Sequence, residues 1–199
     1  MQSKKIIKTI SDIYTYITFG EPMRCIHRFD NHTLMCVYSG ELEIISEGKQ
    51  IRLKSGNCAF IAAKQMAQIT ACPSSDNVFS AVMLSLPRCF VSEFYHTLRH
   101  DGYGYDGMER TGFSLLPDCP EFQSLFQSLK PYHDASGTIP ASLCRLKMAE
   151  GIYALLNTDR RFFITLFGDI IDGNLDILDI LNESISNEMS WRAIKNSKM

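Results

Sequence analysis

The chain has 199 residues, 45% hydrophobic and 21% charged, enough for one globular domain with a sizeable core and a helical annex. Twenty basic residues against 22 acidic ones leave a formal charge of -2, and no block of like charge marks a nucleic-acid-binding face. Seven cysteines, odd in number and never spaced C-x-x-C, argue against a disulfide framework and a zinc site and point to a reducing cytoplasm. The basic N-terminus has no apolar segment behind it, and no apolar run approaches the ~18 residues of a membrane span, so a soluble protein without a membrane partner is expected.

Residues 13–86 hold short strand-forming runs: Tyr14–Phe19, Leu34–Tyr38, Leu42–Ile45, Gln50–Leu53, Ala59–Ile61, Gln68–Ala71 and Val78–Leu86. Turn residues separate them, notably Gly20-Glu21-Pro22, Asp30-Asn31, Ser46-Glu47-Gly48-Lys49 and Cys72–Asn77. Gly40 and Gly56 each interrupt an apolar run, so the stretch between them reads as an antiparallel meander and the whole as a small β-barrel. After Pro87 the pattern turns helical. Phe90, Val91, Phe94, Tyr95 and Leu98 recur at helical spacing; the glycine-rich stretch 101–116 reads as a loop on the surface or lapping over the barrel. A helix from Asp118 is expected to stop at Pro131, a longer one to run from Pro140 to Leu156, and two more to cover 159–171 and 174–185.

Catalytic chemistry finds little support in these residues. There is no G-x-S-x-G elbow, and no cysteine or histidine sits beside an evident activating partner, so no catalytic residue is assigned. His27 and His32, five apart, would face opposite sides of one regular strand, so no metal and no cofactor is expected. Asp169, Asp172, Asp176 and Asp179 read as carboxylates favoured by a helix N-terminus rather than as a cation site. A ligand pocket is the stronger expectation. Arg24 offers a fixed fork of donors suited to a carboxylate or sugar hydroxyls. With His27, Phe29, Tyr38 and Phe60 it forms the candidate ligand-binding set; Tyr38, Phe60 and Met83 are otherwise barrel core.

Two segments, Val37-Tyr38-Ser39-Gly40-Glu41 and Leu53-Lys54-Ser55-Gly56-Asn57-Cys58-Ala59-Phe60-Ile61, resemble the sensor cupin of AraC-family transcriptional regulators. Leu146–Asn157 with Arg161-Phe162-Phe163, and Leu175–Glu183, resemble the helical region and linker of Bacteroides-type members. The resemblance implies an α+β protein: a cupin-like antiparallel barrel over 1–86 that binds a small-molecule effector, then a helical dimerisation region over 87–172. It implies a linker and the start of a helix-turn-helix domain over 173–199, cut short before the recognition helix, so DNA would be reached only through the missing C-terminal part. A homodimer is implied too, with Leu143, Leu146, Met148 and Ile152 as candidate interface residues unless they pack on the barrel. Enzymatic cupins place a histidine about eleven residues after the glycine matching Gly56; Ala67 stands there. The alternatives to a sensor are a metal-dependent cupin enzyme and a ligand-free self-association module.

Overall fold

A computed structural model describes residues 6–11, 14–76, 78–98, 109–134 and 139–173. Nine strands come first: β1 (Ile6–Ser11), β2 (Tyr14–Phe19), β3 (Met23–Phe29), β4 (His32–Ser39), β5 (Glu41–Ser46), β6 (Lys49–Lys54), β7 (Cys58–Ile61), β8 (Gln65–Cys72) and β9 (Phe79–Leu86). Helix α1 (Arg88–Thr97) follows, then a short strand β10 (Phe113–Leu115) and helices α2 (Pro120–Asp134), α3 (Ala141–Thr158) and α4 (Arg161–Ile171). The protein is α+β, with its strands in two antiparallel sheets of order β1-β2-β9-β4-β7-β10 and β3-β8-β5-β6. The expected barrel is thus a two-sheet sandwich.

Three layers result, and the side-chain pattern explains their order. Leu34 to Val37 on β4 are all buried, as are Cys58 to Ile61 on β7, because the larger sheet is covered on both faces. Its inner side meets the smaller sheet through Phe19, Met35, Val37, Ala59, Ile61 and Phe79, against Phe29, Leu42, Ile44, Leu53 and Ile69. Its outer side carries Tyr14, Leu34, Phe60 and Leu84, and the helices cover these with Phe90, Leu125, Phe126, Ile152, Phe162 and Phe167. The smaller sheet has only one covered face. Along β5, accordingly, Leu42 and Ile44 turn inward while Glu41 is exposed.

Two tyrosines tie helix to sheet: the Tyr38 hydroxyl donates to the Phe126 carbonyl at 2.6 Å, and Tyr14 to that of Leu129 at 3.2 Å. Gly40 has φ +88, and a Cβ there would collide with the Cys72 carbonyl, so this turn admits only glycine without rearrangement.

Several expectations are corrected. Met23–Phe29, outside the expected strand runs although His27 was read on one strand with His32, forms the separate edge strand β3, and Phe113–Leu115, read as loop, extends the larger sheet by pairing with β7. Helix α2 passes through Pro131, which sits in its last turn, where one lost backbone bond matters little. The expected helix at 174–185 and the helix-turn-helix start lie outside the described residues. No described helix is long and apolar enough to cross a membrane.

Candidate ligand cleft

A cleft of about 360 Å³ opens between the sandwich edge and helices α1 and α4. One wall is the turn from β7 to β8. There Lys64 adopts φ +65, held by its own N–H donating to the Phe29 carbonyl at 2.6 Å. The second wall is the segment entering β10. Ala62 N–H donates to the Gly112 carbonyl at 2.7 Å, and Thr111 N–H to Thr165 Oγ1 at 2.9 Å. Thr165 in turn donates to the Arg161 carbonyl at 2.8 Å, so this segment is stitched to α4. Arg88, in the first turn of α1, and the apolar side chains of Ala62, Val91, Leu166 and Ile170 complete the lining.

The charge here is arranged, not scattered. Arg110 lies across α4 at Gly168, where a Cβ would come within 2.6 Å of its guanidinium. From there it pairs with Asp169, and with Asp172 at 2.8 Å. Both carboxylates lie at the C-terminal end of α4, where the helix dipole disfavours them; Arg110 supplies the compensation, in place of the helix N-terminus expected from sequence. Lys64 Nζ stands 3.9 Å from Asp169. Three cations, Lys64, Arg88 and Arg110, thus face two lining carboxylates, Asp169 and Glu47. The Asp169 carboxyl is held below its ordinary range: burial opposes this, and the Arg110 hydrogen bond with the surrounding cations outweighs it.

His32 forms the floor. Its Nδ1 accepts the Ala63 N–H at 3.1 Å, and its ring stacks on Phe60 with centroids 5.7 Å apart. Accepting at Nδ1 places the proton on Nε2, which has no hydrogen bond among the described residues. Burial lowers the His32 pKa from 6.5 to about 4; Arg88, Arg110 and Lys64 push the same way, and only Asp169 opposes them. A histidine whose folded pKa is depressed binds its proton more readily when unfolded. Its contribution to stability is therefore complete above about pH 6.5 and is lost as pH falls from there to about 4, by up to ~1.4 kcal/mol per pH unit. Urea titrations at pH 7 and pH 5 should show this loss, and His32→Asn should flatten it. An equal slope in wild type and variant would refute the assignment.

The structure disperses the residues singled out from sequence. Arg24 and His27 are exposed on β3, while Phe29 is buried inside the sandwich. His27 and Phe29 line a separate recess of about 180 Å³ at the sandwich mouth, with rings 4.6 Å apart. Tyr38 and Phe60 face the helices, not the sandwich interior; burial pushes the Tyr38 hydroxyl pKa up. None of the five lines the cleft, and Phe60 lies behind His32, against its ring. On α3, Met148 and Ile152 are buried within the chain's own core, Leu143 is partly buried against it, and Leu146 is exposed. His27 and His32 belong to different sheets. Ala67 is buried facing the sandwich interior, opposite His27 in register. Among the described residues no group of three or more His, Cys, Asp or Glu is placed to hold a metal. Lys64, Arg88 and Arg110 were not foreseen. The one sequence signal for them was the reading of 101–116 as a loop lapping over the barrel.

Comparison with known proteins agrees with this architecture. The chain belongs to the ExsA N-terminal regulatory domain family, whose sequence model matches residues 32–164. Its fold is similar to that of ToxT from Vibrio cholerae, solved with (E)-4-(8-methylnaphthalen-1-yl)but-3-enoic acid, at TM-score 0.53 and 10% identity over 94% of this chain and 77% of ToxT. The AraC-like transcriptional activator CuxR gives TM-score 0.53 and 10% identity over 98% of this chain and 80% of CuxR. A cupin superfamily protein from Desulfitobacterium hafniense overlays 43% of the chain and 77% of its own length at TM-score 0.36 and 17% identity. No curated protein sequence matches. The chain is thus a regulatory domain of the ExsA N-terminal family, with a fold similar to that of AraC-like activators.

Proposed function

We propose that this regulatory domain senses a small organic anion, a carboxylate with an apolar body, in the cleft between the sandwich and α4. The observation that carries this reading is the lining itself: Lys64, Arg88 and Arg110 outnumber the lining carboxylates Glu47 and Asp169, and Ala62, Val91, Leu166 and Ile170 add apolar surface beside them. Its volume of about 360 Å³ falls within the ~300–1,000 Å³ typical of small-molecule pockets. Cationic side chains give charge-assisted hydrogen bonds to a carboxylate, and the Nε2–H of neutral His32 adds a donor without a charge. The acid bound in the ToxT structure has this chemistry, which supports the choice of ligand class.

In this reading the effector alters how the cleft walls hold α4, and so the chain that follows Gly173, where operator recognition would reside. The mechanism is a population shift, which requires the ligand to prefer one arrangement of α4 over another. Self-association falls to the exposed face of α3 that carries Leu146 and Tyr153. Sedimentation that finds only monomer, with and without ligand, would remove that part.

Thermal-shift titration with a panel of arylalkyl and medium-chain carboxylates, each beside its primary amide, tests the ligand class. At least one acid should raise the midpoint in a concentration-dependent way while its amide does not. Lys64→Ala should weaken that acid about tenfold or more, since a hydrogen bond to a charged group is worth ~1.5–3 kcal/mol. Arg24→Ala, on the outer sheet, should leave affinity unchanged. Equal binding of acid and amide, or loss only with Arg24→Ala, would refute the cleft.

A further inference from the structure

The helix-side face of the larger sheet carries two cysteines that the ligand cleft does not use. Cys36 on β4 and Cys58 on β7 are direct register partners in an antiparallel pair. Beside them Val37 N–H donates to the Asn57 carbonyl at 3.1 Å, so the ladder bond belongs to that pair and the cysteines occupy the adjacent non-hydrogen-bonded position. At such positions Cα atoms lie about 4.5 Å apart and side chains approach most closely. That is inside the ~4.4–6.8 Å that a disulfide spans. Both thiols are buried on the same face, Cys36 Sγ donating to the Val37 carbonyl at 3.8 Å and Cys58 Sγ to that of Gly56 at 3.9 Å.

Access to this pair is narrow. Cys58 also lines a surface dimple with Gly56, Leu116, Asp118, Cys119 and Phe122, of about 10 Å³. That admits roughly one molecule of water's size. Hydrogen peroxide, two oxygens long, needs only a small widening of this dimple, whereas a peptide disulfide such as oxidised glutathione is many times larger.

We propose that Cys36 and Cys58 form a dithiol that hydrogen peroxide oxidises to an intrachain disulfide. The Cys58 thiolate attacks one peroxide oxygen; the S–O bond forms, the O–O bond breaks, and the departing hydroxide takes up the thiol proton to leave as water. The Cys36 sulfur then attacks Cys58 Sγ, the S–S bond forms, and the sulfenic hydroxyl leaves with the Cys36 proton as a second water. Two thiols and one peroxide yield one disulfide and two waters, the sulfurs together giving up two electrons. The adjacent Cys36 thiol and burial both push the Cys58 thiol pKa up, so thiolate is scarce and the first step is slow. The bridge joins β4 to β7 beneath α2, where the Cys58 carbonyl already accepts the Leu116 N–H at 2.8 Å.

The test uses the whole chain, treated with hydrogen peroxide or with oxidised glutathione, then blocked with N-ethylmaleimide in denaturant and mapped as unreduced peptides. Peroxide should remove two of the seven free thiols and give a Cys36–Cys58 linked peptide that dithiothreitol reverses. The bridged form should melt higher, because its unfolded state is constrained. Oxidised glutathione should give no such peptide, and Cys36→Ser should prevent it. Seven thiols surviving peroxide, a Cys58–Cys119 bridge instead, oxidation confined to the exposed Cys72, or equal bridging by oxidised glutathione would each overturn the proposal.

Discussion

Gly151→Leu is expected to destabilise the domain by about 3 kcal/mol or more, a large part of the ~5–15 kcal/mol that holds a typical domain folded. In an exposed helix the same change would be favourable, since glycine costs ~1 kcal/mol relative to better helix formers. Gly151 lies in α3 where that helix presses on the sheet. A Cβ there would come within 2.6 Å of Leu34 Cδ1 and 3.5 Å of Leu125 Cδ2. Leu34 and Leu125 are fully buried, so neither can swing aside into solvent. Adding a four-carbon side chain must therefore lift α3 or displace both neighbours. Gly151→Ala, with a single methyl against the tip of Leu34, should lose far less. Leu34→Ala combined with Gly151→Leu should recover part of the loss, giving a coupling of at least ~1 kcal/mol between the two sites. Urea denaturation of wild type, Gly151→Leu, Gly151→Ala, Leu34→Ala and the double variant measures all of this; a Gly151→Leu variant as stable as wild type would mean that α3 does not dock on Leu34.

Strands with one covered face were the most legible part of the sequence, because alternation is a local signal. Glu41–Ser46 and Lys49–Lys54 were visible through it, with Ser46-Glu47-Gly48-Lys49 as their turn. The apolar residues at both parities of Leu34–Val37 and Ala59–Ile61 carried a further message, that both faces are covered. Parity says that Phe60 and Ile61 point oppositely; it does not say which of them meets the helices, so Phe60 was placed inside the barrel. Strand β3 hid because its pattern is mixed: Ile26 is 73% exposed at the sheet edge while the less apolar Cys25 turns inward. Strand β10 is three residues long and exists through its pairing with β7, a contact that no local window contains. The cleft was hidden for the same reason. Its cations come from positions 64, 88 and 110, on a turn, a helix start and a loop, and only the three-layer packing brings them together.

Phe60→Ala is expected to cost about 3–5 kcal/mol, the range for truncating a fully buried phenylalanine. The ring is wedged between two partners: edge-on to Phe162 of α4 at 5.1 Å, and stacked on His32 at 5.7 Å. Its removal therefore weakens the seat of α4 on the sheet and opens space behind the imidazole. Water entering there relieves the desolvation that holds His32 near pH 4, so its pKa should climb back toward 6.5. Phe60→Leu keeps most of the volume and should cost much less, with His32 little changed. Denaturation gives the first quantity, and an NMR titration of the His32 ring protons gives the second. The pair of readouts separates the two roles open to Phe60. A ligand-contacting ring, as sequence suggested, would lose effector affinity on truncation with stability nearly intact; a ring that supports His32 and α4 from behind would lose stability and release the histidine even with no ligand present. The full burial of Phe60 between sheet and helix favours the second outcome, and a variant that stays stable with His32 still near pH 4 would reverse that conclusion.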